Sequence, residues 1–407
     1  MQEVLDLYEQ GNVDEAMRKL EDMKLEEIYV QTLDKKHKAE RDSILVLNKL
    51  RTSVNIYKNG GNWDKAAETL KLLADKQNTF DDVFAYARFC QEQNDFKDAE
   101  IYYDKALEMR RLANGNPKAY DLDAARTLHN MAQLYSKTQR FTEAEEMYKQ
   151  TLEIYPYLTK ANSKAYEPDM AATLNSLAIL YYNTKRLTEA EEKYKQVLEI
   201  RQRLAKDSPK AYEPYVAQTL HNLAILYKST QRVTEAEDKY KQAMEIYQRI
   251  AKDNPKAYES ELARTLNSLA ILYYNTKRFT GAEEMYKQAL EIRQRLAKGN
   301  PKAYEPYVAQ TFGNLSLNAI FLKNHSKAEQ FAREGLAVDS TQHWIASNLA
   351  VAILLQGRYT EAECIYRQYK DELRDSFLDD FEQFKAVGVI PKEREEDVEK
   401  IKQMLKE

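Results

Sequence analysis

Cysteine, proline and glycine are scarce in this 407-residue chain, which holds two, nine and ten of them. Cys90 and Cys364 stand too far apart to form a redox or ligand motif, and the apolar helical context of each marks a small buried hydrophobe. So few turn-formers exclude a loop-rich architecture and favour helices throughout. No apolar run reaches membrane-spanning length. The first thirty residues lack a secretory-type stretch, since Glu3, Asp6, Glu9, Asp14 and Glu15 interrupt them, so a cytoplasmic location is expected. Blocks of one charge sign are missing as well. The balance is 61 basic against 65 acidic residues, and residues 371–407 alone carry 7 against 12, leaving the body nearly neutral. Counterion release therefore has no source, which disfavours nucleic acid as a partner. The five histidines, His37, His129, His221, His325 and His343, include no pair at metal-ligand spacing. There is no HExxH, no cysteine pair and no glycine-rich phosphate loop. No metal, no cofactor and no catalytic residue is expected, and the protein reads as a non-enzyme.

What the chain has in abundance is repetition. Thr127, Thr173, Thr219, Thr265 and Thr311 are 46 residues apart, as are Tyr120, Tyr166, Tyr212, Tyr258 and Tyr304, and Ala144, Ala190, Ala236, Ala282 and Ala328. The next matching alanines, Ala362 on one side and Ala99 and Ala66 on the other, follow at 34, 45 and 33. Such a period marks stacked repeats rather than separate domains. Within residues 165–206, Leu174, Leu177, Ala178 and Tyr181 recur at i, i+3, i+4, i+7, one apolar face of a helix. Glu167-Pro168 opens that helix and Asn183-Thr184-Lys185-Arg186 breaks it. Thr188 with Glu191 reads as a capping box for a second helix, whose stripe is Ala190, Tyr194, Val197, Leu198 and Leu204. Asp207-Ser208-Pro209 ends it. Pro156 should bend or end its own second helix early. Each unit is a helical hairpin with two apolar stripes, which only stacking on a neighbour buries.

These residues resemble the tetratricopeptide repeat, whose signature slots match Leu174, Leu177, Ala178, Tyr181, Ala190, Tyr194 and Val197 in order. The stretch 219–255 looks most like the kinesin-light-chain subtype, whose units are also longer than 34 residues. The resemblance implies an all-α fold, a right-handed α-solenoid or superhelix of stacked antiparallel helix pairs, in a style that points to a bacterial source. We expect an N-terminal helical cap at 1–40, a solenoid at 41–370 with 46-residue units over about 119–338, and acidic capping helices at 371–407. The last should form two polar-faced helices around Gly388 and Pro391, giving the array a wettable end.

The resemblance further implies that the first helices line a concave groove, with the residues between their apolar markers pointing into it. The candidate partner-binding residues are His129, Asn130, Asn175, Ser176, Tyr182, Asn183, His221, Asn222, Lys228, Asn267, Ser268, Tyr274, Asn275 and Asn314. Asn offers a donor and an acceptor that match a backbone amide, and Tyr gives flat contact with a polar tip. His-Asn and Asn-Ser alternate along this row. Residues 173–218 and 265–310 are identical at 40 of 46 positions, so the alternation has two sources open, partner reading or duplication of a two-unit block. Arg126 with Asn130 begins a carboxylate clamp that Ala172 with Ser176 does not continue. The function expected is a scaffold that binds a protein or an extended peptide. The alternative is a peptide-sensing regulatory module whose output lies in a partner. No membrane partner is expected, and homo-oligomerisation is possible but not indicated.

Overall fold

The structure, a computed structural model, describes residues 1–25, 27–28, 40–113 and 122–407. The junction between the expected cap and the array at 29–39, with His37, and the opening of the first long unit near Tyr120 lie outside the described residues. Among the described residues every regular element is a helix. Two compact units, Met1–Lys193 and Tyr194–Glu407, divide inside the helix Leu187–Asp207. In the first unit the pairs are Gln2–Glu9 with Val13–Asp22, Glu40–Asn59 with Trp63–Lys76, Phe80–Glu92 with Phe96–Ala113, and Leu122–Lys137 with Phe141–Ala161, followed by Ser163–Asn183. In the second they are Pro209–Ser229 with Val233–Asp253, Pro255–Asn275 with Phe279–Gly299, Pro301–Phe321 with His325–Val338, and Trp344–Leu355 with Tyr359–Ala386, closed by Glu395–Lys406. We call the first helix of a pair A and the second B. Within each unit, successive helices pack against one another and A helices also touch the next A helix, the stacked-hairpin layout of an α-solenoid.

Small side chains set the approach of A to B. Ala132, Ala178, Ala224 and Ala270 on A helices, and Ala144, Ala190, Ala236 and Ala282 on B helices, are fully buried. Where Ser316 replaces the A-helix alanine, its hydroxyl donates to the Ala328 carbonyl of the B helix at 2.7 Å, so the side chain of one helix touches the backbone of the other. The turn between them places Gln139, Lys185, Gln231, Lys277 and Lys323 at positive φ, the position Gly61 and Gly357 hold in shorter hairpins. There the Arg232 amide donates back to the Tyr227 carbonyl at 2.8 Å, the bond of a Schellman-type helix end.

Helix starts differ from the sequence expectation. Ser163–Asn183 begins before Glu167-Pro168, with Asn162 accepting from the Ala165 amide at 3.2 Å, and Pro168 lies inside the helix. Pro209, Pro255 and Pro301 take first-turn positions in later units. Thr188 is not the cap of its helix, which opens at Leu187. The residue before is an arginine, whose side chain works sideways instead. Arg186 Nε donates to Glu189 at 2.7 Å and its Nη1 reaches Glu145 on the preceding B helix at 2.5 Å. Tyr181 donates to the same Glu145 at 3.1 Å, and the guanidinium lies 4.2 Å from the Tyr181 ring centre. Burial works against ionisation of Glu145, yet hydrogen bonds from Arg186, Lys149 and Tyr181 hold its carboxyl down at about 2. Arg140, Tyr135 and Glu100, and Arg278, Tyr273 and Glu237, repeat the arrangement.

Three further expectations are corrected. Pro156 does not end its helix, which runs on to Ala161 and matches its counterparts at 21 residues. Its ring is exposed while Ile154 and Tyr155 beside it are buried, so packing outweighs one lost backbone bond. Cys90 is buried, but Cys364 is exposed. At the C-terminal end the first capping helix is no separate element. It is the last B helix, Tyr359–Ala386, continued straight through residue 371, and it buries Phe377, Phe381 and Phe384. No helix among the described residues is long and apolar enough to cross a membrane.

Ala236 lies fully buried at a helix crossing, so Ala236→Leu should destabilise the protein by about 1–3 kcal/mol. Thermal unfolding followed by circular dichroism checks this, and an unchanged midpoint would show the crossing to be misassigned.

Candidate functional site

In the first unit three successive A helices surround an open cleft of about 430 Å³. Arg126, His129, Asn130, Gln133 and Lys137 recur at i, i+3, i+4, i+7, i+11 and so share one helix face. The preceding A helix adds Phe84, Arg88, Gln91 and Glu92, and the following one adds Asp169, Ala172 and Thr173. Arg88 pairs with Glu92 at 3.2 Å and Arg126 faces Asp169 at 3.8 Å. Lys137 is exposed and meets no carboxylate among the described residues. The cleft is thus polar, nearly balanced in charge, and carries one uncommitted ammonium beside amide groups.

His129 is held as a neutral ring. The Thr173 hydroxyl donates to the Asp169 carbonyl at 3.0 Å, so toward His129 Nδ1, also 3.0 Å away, it accepts. The proton therefore sits on Nδ1, and Nε2 accepts from Gln133 at 3.0 Å. Burial lowers the His129 pKa. His221 repeats this against Thr265 at 3.1 Å, and burial, with Arg264 and Lys228 nearby, pulls it down to about 3. Its expected place in an open groove is corrected, for it is 1% exposed.

The other threonines of the 46-residue register are served differently. Arg201 Nη1 donates to Thr219 at 2.8 Å and to the Tyr215 carbonyl at 3.0 Å. Arg293 does the same for Thr311 at 2.7 Å and the Tyr307 carbonyl at 3.1 Å. Both guanidinium groups are buried, which pulls each down to about 10. At the register position of His129 stand Asn175, His221 and Asn267, and at that of Tyr155 stand Arg201, Tyr247 and Arg293. His goes with Tyr, and Asn goes with Arg. The two-unit alternation along the A helices is therefore, at this position, an exchange of hydrogen-bond donors to a buried threonine. It is a constraint of the interior.

Several other candidates are also engaged internally. Asn267 is 8% exposed and accepts from Asn314 at 3.4 Å, which corrects its expected exposure. Gln91 Nε2 donates to the Asn130 backbone carbonyl at 3.4 Å, and the Asn130 and Ser176 side chains are half-buried. Lys185 lies 5.9 Å from the Tyr182 ring centre. Tyr274 is packed against Phe279 and Phe321, with ring centres at 5.8 and 5.4 Å. Asn175, Asn222, Lys228 and Ser268 are half-buried, and Asn183 and Asn275 are exposed. Sequence reasoning missed Tyr215 and Tyr307, which are 50% and 52% exposed. Each stands four residues before a register threonine, which places it on the same helix face, and that spacing was the available signal.

At the far end of the second unit this face is filled. The shift from a 46- to a 34-residue spacing aligns Ser347, Asn348, Val351 and Leu355 with His129, Asn130, Gln133 and Lys137, and all four are buried. Gly313 holds the His129 position one unit earlier, and a Cβ there would lie 2.2 Å from the Trp344 ring. Phe377, Phe381 and Phe384, with Ile401 and Leu405, join the same apolar cluster as Val351 and Leu355. Ser347 donates to Asp380 at 2.5 Å, and the Phe384 ring centre is 5.4 Å from that of Phe321.

Elsewhere, Cys90, Asp95 and Asp98 bring ligand atoms within 4.8 Å of one another. Asp98 is already paired with Lys71 at 3.4 Å, and burial pushes the Cys90 thiol up to about 11. That donor set suits an internal polar contact.

Sequence models described as tetratricopeptide repeat match residues 82–156, 169–249, 215–295 and 261–341, and a second such model matches 343–368. The chain belongs to the tetratricopeptide-repeat family. No curated protein matches this tetratricopeptide-repeat chain. Solved structures similar to it include BtubC (BKLC) from P. vanneervenii, at 25% identity over 60% of this chain and 91% of that one, with a TM-score of 0.49. A putative kinesin light chain with nearly identical TPR-like repeats from Podosopora anserina is 21% identical over 54% and 95%, with a TM-score of 0.42. A signal transduction ATPase with numerous domains and a tetratricopeptide repeat sensor, from Pyrococcus horikoshii, is 17% identical over 90% of this chain and 53% of that one, with a TM-score of 0.59. This last likeness is one of fold.

If His-Tyr and Asn-Arg are interchangeable donor sets, His221→Asn alone should destabilise by about 1–3 kcal/mol, because Thr265 loses its donor. Adding Tyr247→Arg should recover part of that loss, with a coupling on the order of 1 kcal/mol in a double-mutant cycle by urea unfolding. Strict additivity would refute the exchange.

Proposed function

We propose that this tetratricopeptide-repeat protein is a non-enzymatic interaction scaffold that takes up a protein or an extended peptide along the A-helix face. The cleft of the first unit carries this reading. Its side chains offer an ammonium, a guanidinium and several amides from three rigid helices, and amide groups pair with main chain without demanding a particular sequence. Because helix packing already holds these groups in place, association orders little of the scaffold, and a row of individually weak contacts suffices. In the second unit Tyr215 and Tyr307 present flat, half-exposed rings on the equivalent face, beside Asn222 and Asn314 at the register of Asn130. The sequence candidates that support the reading best are Asn130 and Asn222. His221 and Asn267 contribute through the interior.

Affinity capture from native lysate tests this. Replacing Arg126, Asn130 and Lys137 together with Ala should weaken the captured partner by about tenfold or more, with helicity unchanged by circular dichroism. Equal capture by the triple variant would remove the first-unit cleft from the binding surface.

A further inference from the structure

The stretch Phe377–Phe384 lies where, in the first unit, the A-helix face is open. It sets three phenylalanines at i, i+4, i+7 against Val351, Leu355 and Phe321, the pattern of an amphipathic helix laid into an apolar groove. Two features of this contact are costly. Asp380 is carried into it between Phe377 and Phe384, and among the described residues no cation pairs with it. The Ser347 hydroxyl of the last A helix donates to it, and the Tyr274 phenol from Pro255–Asn275, with Tyr366 and Asp379 on its own helix, lies within electrostatic range. The Tyr366 hydroxyl is buried with no hydrogen-bond partner. Unlike a purely apolar closure, this one confines a carboxylate and strands a hydroxyl, and water would relieve both on opening.

We propose that the C-terminal part of helix Tyr359–Ala386 is an intramolecular occupant of the A-helix face, reversibly docked over the last two hairpins and released when Asp380 loses its proton. Release frees Ser347, Val351, Leu355 and Phe321. The significance of those freed residues for partner binding rests on the function proposed above, whereas the docking itself does not.

The direction with pH follows from burial. Burial raises the Asp380 pKa in the docked state, with Asp379 adding to it and the Ser347 hydrogen bond opposing it. The docked form therefore holds the proton more tightly than the open form. Docking is strongest below the ordinary carboxylate range and weakens as pH rises through the raised value.

Hydrogen exchange read by mass spectrometry on the full chain, at pH 3 and pH 8 and corrected for intrinsic exchange rates, tests this without any partner, the lower pH lying below the ordinary carboxylate range. Protection across 371–386 and 395–406 should fall at the higher pH, by about tenfold for each unit by which docking raises the acid. Helix Pro209–Ser229 should hold its protection as the internal control. Asp380→Asn should abolish the fall and keep protection high. Phe384→Ala should lower protection at both pH values and leave the pH dependence in place. Equal protection of the wild-type C-terminal helices at both pH values, or a fall that persists in Asp380→Asn, would overturn the proposal. Neither result would bear on capture through Arg126, Asn130 and Lys137, so the two readings fail separately.

Discussion

From Phe80 onward, each hairpin depends on side chains no larger than a methyl or hydroxymethyl group where its two helices cross. At that distance a helix leaves no room for water or for a longer side chain, and the bond from Ser316 to the Ala328 carbonyl shows how near the backbones come. Close crossing fixes the angle between A and B, and that angle leaves an apolar stripe on each outer side. The stripes are covered only when the next hairpin arrives. Ion pairs then set the stagger: Arg140, Arg186 and Arg278, each just before a B helix, reach back to a glutamate one hairpin earlier, which a tyrosine also engages. Such a pair is only partly shielded from solvent, so it contributes geometry more than stability.

Stacking has a second consequence, because a helix threonine facing the next hairpin has its oxygen removed from water. Its hydrogen satisfies the carbonyl four residues back, and a lone pair remains to be met. The protein meets it in two ways, by a neutral histidine from the previous A helix or by a buried arginine from the previous B helix. A pattern that looked like a code for a partner is in this respect a code for the interior. On the scaffold reading proposed above, the positions left to a partner are those beside it, such as Asn130, Lys137, Tyr215 and Tyr307, which no interior constraint consumes in full.

The A-helix face differs in state along the chain. In the first unit it is an open polar cleft. Over the last hairpins it is apolar and covered by the protein's own helix, which carries a half-buried acid that apolar packing would not select. A face that accepts a helix from its own chain is by construction a face able to accept one, and this links the scaffold reading to the C-terminal segment.

The period, the hairpin and the identity of the apolar stripes were legible in the sequence because each depends on spacing within a single helix. The alanine slots and the turn at Lys185 were legible for the same reason. What only the tertiary structure decided is which polar residues face outward. His129 and His221 have one spacing and nearly one context, yet the first borders the open cleft, with Gln133 donating to its Nε2, while the second is sealed, with Ile225 at the register of Gln133. The donor to each register threonine lies 18 or 44 residues away on another helix, beyond the reach of any local pattern. The acidic tail read as a soluble end, since charge counts toward solvation in sequence, but its Phe377, Phe381 and Phe384 turn inward. Burial is a property of the neighbours a side chain finds across the stack, and spacing along one helix does not record them.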